Sequence, residues 1–366
     1  MDEIEYMRLA IQLARQGCGW VNPNPMVGAV IVKDGKIIGQ GCHKKYGELH
    51  AERNALADCR TPTTGATLYV TLEPCCHYGR TPPCTDAIIE SGISRVAVGS
   101  SDPNPLIAGK GIAILRSHGI EVTENVAKDE CDKLNESFFH YIQNRTPYVV
   151  MKYAMTMDGK IATHTGKSQW ITGSAARRRV HEARHRYSAI MVGVGTVITD
   201  NPMLTCRLEN GKNPLRIICD TGLRTPLQAR IVTTTDKAPT LIATAITDTK
   251  RHRPYLDAGC EIMVLPQKDA HIDLNSLMKR LGEKQIDSLL LEGGGTLNWS
   301  ALQSGIVNKV QAYVAPKLFG GNGKTPVEGF GVDYPGGAFL LSKPVITQVG
   351  EDILLESEVI RCLQES

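Results

Sequence analysis

The sequence predicts an α/β protein of two domains, and three observations predict it. Its 366 residues exceed one core at about 150 residues per domain. Short apolar runs of strand type alternate with segments of helical period, the mark of α/β architecture. A polar helical stretch ends at Asn144-Arg145-Thr146-Pro147, a turn-forming break that sets the expected domains at 1–146 and 147–366.

The elements follow in order. Met7, Ala10, Ile11 and Ala14 share one face of an opening helix that stops at Gly17. Residues 27–32 and 36–40 read as a hairpin about Asp34-Gly35. Residues 50–59 read as a helix and 67–72 as a strand, and Pro82-Pro83 opens a helix that Gly92 stops. Strand, helix and strand continue at 96–99, 111–117 and 120–123, and 129–143 is expected as one helix. Past the boundary, strands are expected at 148–154, 189–194, 215–220, 240–244, 261–265 and 288–292. Helices are expected at 174–186 and 274–281, with a strand-rich tail from Val310.

Composition narrows the function. Lys and Arg number 41 against 38 Asp and Glu, a formal charge of +3, too little excess for a chain that lives on nucleic-acid phosphates. Aromatics at 5% are scarce for a base-stacking platform. No apolar run reaches the 18 residues of a membrane span; the longest candidate, 189–198, is interrupted by glycines. The start Met-Asp-Glu-Ile-Glu has no basic or apolar signal region. Eleven cysteines, an odd number in a long chain, point to a reducing compartment, so a cytoplasmic protein is expected.

Chemistry concentrates in the first half. His50-Ala51-Glu52 is followed by Pro74-Cys75 and then Cys84. One imidazole and two thiolates suit a catalytic Zn²⁺ with an open fourth position, and a nearby Glu that is not a ligand can carry protons. Zinc deaminases show H-x-E … P-C-x-x-C. Here the last thiol comes nine positions on, which leaves Cys76 and His77 as closer alternatives. Residues two apart on an ideal helix point about 200° apart, so His50 must cap its helix if it and Glu52 are to face one metal. In the second half no G-x-G-x-x-G follows a strand. An apolar strand does run into Glu292-Gly293-Gly294-Gly295-Thr296 and then a helix, the way free N–H groups come to face a phosphate.

At this length the motifs resemble a known family. Asn22-Pro23-Asn24-Pro25-Met26-Val27-Gly28, His50-Ala51-Glu52, Pro74-Cys75-Cys76-His77-Tyr78-Gly79-Arg80-Thr81-Pro82-Pro83-Cys84, Ser101-Asp102-Pro103-Asn104-Pro105 and the Gly109/Gly111 pair resemble the bifunctional deaminase/reductase of riboflavin biosynthesis. Lys152–Lys160, Ser168-Gln169-Trp170-Ile171-Thr172, Gly193-Val194-Gly195-Thr196 with Asp200, and Asn201–Arg207 extend the resemblance over nearly the whole chain. It implies a cytidine-deaminase-like three-layer αβα domain and a dihydrofolate-reductase-like α/β domain.

The resemblance also implies roles. His50, Cys75 and Cys84 hold one Zn²⁺, Glu52 is the proton shuttle, and Asn24 and Arg80 bind substrate. The first domain deaminates 2,5-diamino-6-ribosylamino-4(3H)-pyrimidinone 5′-phosphate. The second reduces the ribosyl group to ribityl with NADPH held by Ala154, Trp170, Thr196, Asp200, Thr221, Gly294, Gly295, Thr296, Leu297, Asn298, Trp299 and Ser300. Substrate there meets Ser168, Arg184, Leu204, Arg207 and Glu292. Lys152, Asp200 and Glu292 are the candidates for proton handling, and Arg224 is a candidate partner for a 2′-phosphate. Cys76 stands where the family usually has Ser, and Asn201 where many members have a second Asp. Small pyrimidine ribose phosphates are the expected partners, with a homo-oligomer and neither nucleic acid nor membrane. The rival reading, a nucleoside or nucleic-acid zinc deaminase with an accessory domain, is opposed by the near-neutral charge, the few aromatics and the reductase-like second half.

Overall fold

The computed structural model describes residues 1–78, 82–104 and 107–360. It divides into two compact units, Met1–Arg145 and the chain from Thr146 on. In the first, α1 (Glu3–Ala14) begins at a capping box in which Asp2 accepts from the Glu5 N–H and Glu5 accepts from the Asp2 N–H, both at 2.8 Å. The hairpin β1 (Gly28–Lys33) and β2 (Lys36–Cys42) follows, then α2 (Ala51–Asp58), β3 (Thr67–Leu72) and α3 (Cys84–Glu90). Next come β4 (Arg95–Ser100), α4 (Lys110–Ser117), β5 (Glu121–Thr123), α5 (Lys128–Leu134) and α6 (Glu136–Asn144). The sheet runs β2-β1-β3-β4-β5, with β1 antiparallel to both neighbours and β3, β4 and β5 parallel.

Strand alternation covers both faces of this sheet. Ala29, Ile31, Leu68, Val70, Val96 and Val98 pack against α2, α3 and α4 through Ala55, Ile88 and Leu115. Val30, Val32, Tyr69 and Ala97 pack against Met7 and Ile11 of α1 and Cys131 of α5. The result is three layers. The single helix expected at 129–143 breaks at Asn135, whose side chain accepts from the Met26 N–H and donates to the Met26 carbonyl, each at 2.9 Å. Two tertiary hydrogen bonds, each worth roughly 1 kcal/mol net, outweigh one interrupted turn.

The second unit begins with β6 (Tyr148–Thr156), α7 (Ser174–Arg186), β7 (Ala189–Gly193), α8 (Val194–Asp200) and β8 (Leu215–Cys219). Then come α9 (Arg230–Thr233), β9 (Thr240–Thr244), α10 (Thr249–Asp257), β10 (Glu261–Val264) and a small hairpin of β11 (Gln267–Lys268) and β12 (His271–Ile272). The chain closes with α11 (Leu274–Glu283), β13 (Ser288–Leu291), α12 (Gly295–Gln303), β14 (Val307–Ala315), β15 (Leu340–Leu341), β16 (Val345–Val349) and β17 (Asp352–Ile360). The main sheet is ordered β10-β9-β8-β7-β13-β6-β14-β17-β15, and β16 also pairs β17. From β10 to β14 every pairing is parallel; β17 runs antiparallel.

The strand expected at 189–194 stops one residue early because Val194 opens α8, which was not expected. Val194, Thr196, Val197, Ile198 and Thr199 are β-branched and favour strand locally. Packing decides otherwise: Val194 and Val197, three apart on a helix, are both buried against Val192 and Leu290. The parallel strands share one carboxyl edge, where α/β sheets place ligands. No described helix is long and apolar enough to cross a membrane.

Candidate functional site

His50 is the N-cap of α2, in extended conformation at φ −72°, ψ 165°, so the rotation that would separate His50 from Glu52 on a regular helix does not apply. Cys75 follows β3, and Cys84 is the first residue of α3. These bring His50 Nδ1, Cys75 Sγ and Cys84 Sγ within 4.8 Å of one another, with each sulfur 3.4 Å from Nδ1. Tetrahedral zinc with Zn–N near 2.05 Å and Zn–S near 2.3 Å sets N and S about 3.6 Å apart. Donor chemistry and spacing therefore fit that ion. Cys76 and His77 are not part of this cluster.

Glu52 lies beside it, 3% exposed. Burial first, and then the Cys75 thiolate, push its carboxyl up from the ordinary range. The Cys84 N–H donates to Cys75 Sγ at 3.3 Å, and bonding to the Cys84 and His50 side chains holds the Cys75 thiol well down despite its burial. Asn24 Nδ2 is 3.4 Å from His43 Nε2. His43 Nδ1 is 3.1 Å from the Leu49 carbonyl; a carbonyl only accepts, so Nδ1 carries the proton and Nε2 accepts from Asn24. The His43 ring meets His50 edge-on, with centroids 5.4 Å apart. Nothing in the sequence pattern singled out His43, since a lone histidine after a strand carries no signal. Arg80 falls outside the described residues.

In the second unit the carboxyl ends of β7, β8 and β13 open onto a cavity of about 620 Å³, within the roughly 300–1,000 Å³ of small-molecule sites. Ser168, Thr196, Asp200, Thr221, Gly294, Gly295, Thr296, Leu297 and Ser300 line it, as do Gly193, Gly195, Arg224 and Lys324. A Cβ built on Gly195 would meet nothing within 4 Å, so the first turn of α8 faces open space at this residue. The turn after β13 leads into the first residues of α12, whose N–H groups have no partner within the helix.

Other expected residues lie elsewhere. Asn298 is fully buried and donates to the Pro326 carbonyl at 2.8 Å, and Trp299 meets Phe339 edge-on. Ala154 packs toward Tyr313 and Leu354. Trp170 is 60% exposed, with the Arg177 guanidinium 4.8 Å over its ring. Leu204, at a φ of +54°, is 4% exposed and sits in the apolar core of Ile190, Val192 and Ile218. Arg207 is exposed.

A charged cluster stands at the end of β13, beside the middle of β6. Arg184 Nε and Nη2 donate to the two Glu292 oxygens at 2.9 Å each, and Nη1 reaches the Thr205 carbonyl at 3.2 Å. Three donors of the expected substrate arginine are thus committed within the protein. Burial alone would push the Glu292 carboxyl up, but Arg184 and then Lys152 more than offset it and hold it at about 2. Burial pushes the Lys152 ammonium down, with Glu292 opposing and Arg184 assisting. His181, on α7, belongs to the same cluster by its interaction with Arg184, Arg207 and Glu292 and was not foreseen.

Residues 147–355 match the family model described as the RibD C-terminal domain. Residues 1–100 match the cytidine and deoxycytidylate deaminase zinc-binding region. The riboflavin biosynthesis protein RibD of Actinobacillus pleuropneumoniae is 56% identical over 361 residues, covering 98% of this chain and 96% of that protein. The chain belongs to the RibD family. It is a bifunctional deaminase/reductase of riboflavin biosynthesis, with a zinc-binding deaminase region in its first unit and the reductase domain in its second. Two solved structures agree over the full length. A diaminohydroxyphosphoribosylaminopyrimidine deaminase/5-amino-6-(5-phosphoribosylamino)uracil reductase of Thermotoga maritima has a TM-score of 0.86 at 40% identity, covering 98% of this chain and 99% of that one. Acinetobacter baumannii RibD has a TM-score of 0.87 at 36% identity with the same coverage.

Proposed function

We propose that the domain over 1–146 hydrolyses the 2-amino group of 2,5-diamino-6-ribosylamino-4(3H)-pyrimidinone 5′-phosphate, and that the domain over 147–366 then reduces the ribosyl group of the uracil product to ribityl with NADPH. The observation that carries the first half is a buried carboxyl, Glu52, that is no ligand yet stands against the His50–Cys75–Cys84 triad. Zinc, when bound by those three residues, supplies Lewis acidity that makes a water nucleophilic near neutral pH. Glu52 takes a proton from the attacking water and returns it to the amine, so the C–N bond breaks, ammonia departs and the water oxygen stays on the ring carbon as the carbonyl. Its burial beside the triad places it to serve both halves of that transfer. Asn24, its Nδ2 turned to His43, is left with Oδ1 to accept from the pyrimidine edge.

The reductase reading is supported by the cavity at the strand ends and the charged cluster at the end of β13. NADPH, when bound, supplies the hydride. Gly294–Leu297, Ser300, Thr196, Asp200 and Thr221 hold it, with Ser168 and Arg207 toward the substrate phosphate. Of the three candidates for proton handling, Glu292 is ionised by Arg184 and Lys152 and has no proton to give near neutrality. Lys152 is a cation made more acidic by burial, so it holds the proton that the ribose ring oxygen takes up as its bond to C1′ opens and C1′ accepts hydride. Arg184 orients Glu292 and through it Lys152. We infer a cytoplasmic homo-oligomer acting on small pyrimidine ribose phosphates, without nucleic acid. Described cysteines that are all free thiols support the compartment, and exposed apolar residues Phe330, Tyr334, Leu340 and Ile346 support association.

The test is NADPH oxidation and ammonia release by the purified protein with the diamino pyrimidine phosphate, beside Glu52→Ala. Wild type should do both, and the variant should keep its zinc while ammonia release falls at least roughly a hundred-fold. Ammonia release surviving in Glu52→Ala removes the proton-shuttle mechanism.

A further inference from the structure

Strand register sets polar side chains in one row across the sheet of the second unit. Leu291 of β13 pairs Met151 of β6, which brings Glu292, the next residue, alongside Lys152. On its other side Lys152 pairs Gln311 of β14, and Gln311 pairs Glu356 of β17. Side chains two apart on a strand share a face, so Tyr313, which pairs Ala154, stands on the same side of the sheet as Gln311. There it packs with Ala176, Val349 and Leu354.

The two β14 side chains serve Lys152 differently. The Lys152 ammonium lies 5.6 Å from the centre of the Tyr313 ring, within the roughly 6 Å over which the negative face of a ring attracts a cation. Tyr313 is 3% exposed, so water screens that attraction little. Gln311 is fixed from the far side: its Nε2 donates to Glu356 Oε1 at 2.9 Å. An ionised carboxylate only accepts, so the amide nitrogen faces Glu356 and Oε1 is turned off it. That oxygen is buried and meets no donor among the described residues. A buried acceptor without a donor is costly, and the ammonium one strand away carries three donors.

We propose that β14 seats the proton donor of the reductase: the Tyr313 ring carries the Lys152 ammonium, and Gln311, locked by Glu356, offers it an acceptor, which makes both of them positioning residues. The proposal rests on the reading of Lys152 as the group that holds the proton. The seat favours the charged amine and so opposes burial, which pushes the ammonium down. The other groups about Lys152 keep one charge state above neutrality. Glu292 is held at about 2, and Arg184, paired with it, stays a cation. Burial, with Arg184 and Arg207 beside it, pushes His181 down to the neutral form, and burial pushes the Tyr313 phenol up to about 12. Arg179 and Glu182 of α7 and Glu356 of β17 add charges of both signs around Tyr313. A reductase rate that falls as pH rises above neutrality therefore reports Lys152.

NADPH oxidation by the full chain, with 5-amino-6-(5-phosphoribosylamino)uracil supplied directly and kcat followed against pH, tests it without the deaminase. Protonated Lys152 is required, so a weaker seat moves the fall in kcat to lower pH. Tyr313→Leu should show that movement and lose roughly ten-fold in kcat on the alkaline side with both KM values held, and Tyr313→Phe, which keeps the ring, should restore kcat. Where the lost packing unfolds Tyr313→Leu, trifluorophenylalanine at position 313 keeps the shape and drains charge from the ring face. It should move the fall to lower pH than Tyr313→Phe does. Gln311→Leu should move it in the same direction. A profile that the ring changes leave in place overturns the role of Tyr313, and one that Gln311→Leu leaves in place overturns that of Gln311; either result leaves Lys152 standing. Full turnover by Lys152→Met overturns the reading of Lys152 and this proposal together.

Discussion

Replacing Glu292 by Gln isolates the charged cluster of the second unit. Arg184 and Glu292 are each 13% exposed and joined by two parallel bonds of 2.9 Å, and the Lys152 ammonium lies near enough to depress the same carboxyl. A carboxyl held at about 2 instead of 4.5 stabilises the fold by about 3 kcal/mol at neutral pH. Loss of one partner of a buried pair independently costs about 3–5 kcal/mol. At roughly 2–4 °C per kcal/mol for a unit of this size, Glu292→Gln should lower the melting transition of the second unit by roughly 6–12 °C. The pH dependence has a definite direction. The folded pKa lies below the unfolded one, so the stabilisation is complete above 4.5 and fades as pH falls toward 2. Scanning calorimetry of wild type and Glu292→Gln at neutral and at acid pH reads both effects. A loss under about 2 °C at neutral pH, or a gap that stays constant into acid, would refute the view that Arg184 and Lys152 hold Glu292 ionised.

Two further outcomes concern the first unit. Cys84→Ala, which removes a donor 3.4 Å from His50 Nδ1, should lower zinc content measured by atomic emission from one per chain to a small fraction, while Cys76→Ser should leave it at one. Retained zinc in Cys84→Ala would mean that another thiol serves. Gly111→Ala would drive a Cβ to 2.2 Å from the Pro74 carbonyl, where the Glu73 carboxylate already accepts from the Gly111 N–H at 3.0 Å. It should cost roughly 1–3 kcal/mol in chemical denaturation and weaken zinc in a chelator competition, because Pro74 precedes Cys75. Unchanged stability and zinc affinity together would show that the Pro74 turn yields freely.

Most elements were legible because their signals are local. Asp34-Gly35 sets a hairpin, Pro82-Pro83 and Gly92 bracket a helix, and the runs at Thr67–Leu72 and Thr240–Thr244 match the strands residue for residue. The misses share a cause. Val194–Asp200 is strand-like in composition yet packs as a helix, and Thr249–Asp257 hides a helix behind an internal Pro254. Asn135 looks like one more helical residue until Met26 claims its amide. Each is a case where burial or a distant partner overrides propensity.

For the sites, the residues alone supplied the donor types and the proton carrier: His50, Glu52 and Cys75 declare zinc chemistry because few other tasks need those groups together. They left Cys76, His77 and Cys84 in competition, and only the fold decides among them, by setting Cys84 Sγ against a His50 that is 34 residues away in sequence. The fold alone shows that Arg184 answers Glu292 across 108 residues, that Leu204 is core, and that Arg224 faces the cavity. Sequence period reports which face of an element is buried. Which groups meet depends on how strands far apart in the chain pair and where their ends stop, and that is a property of the sheet.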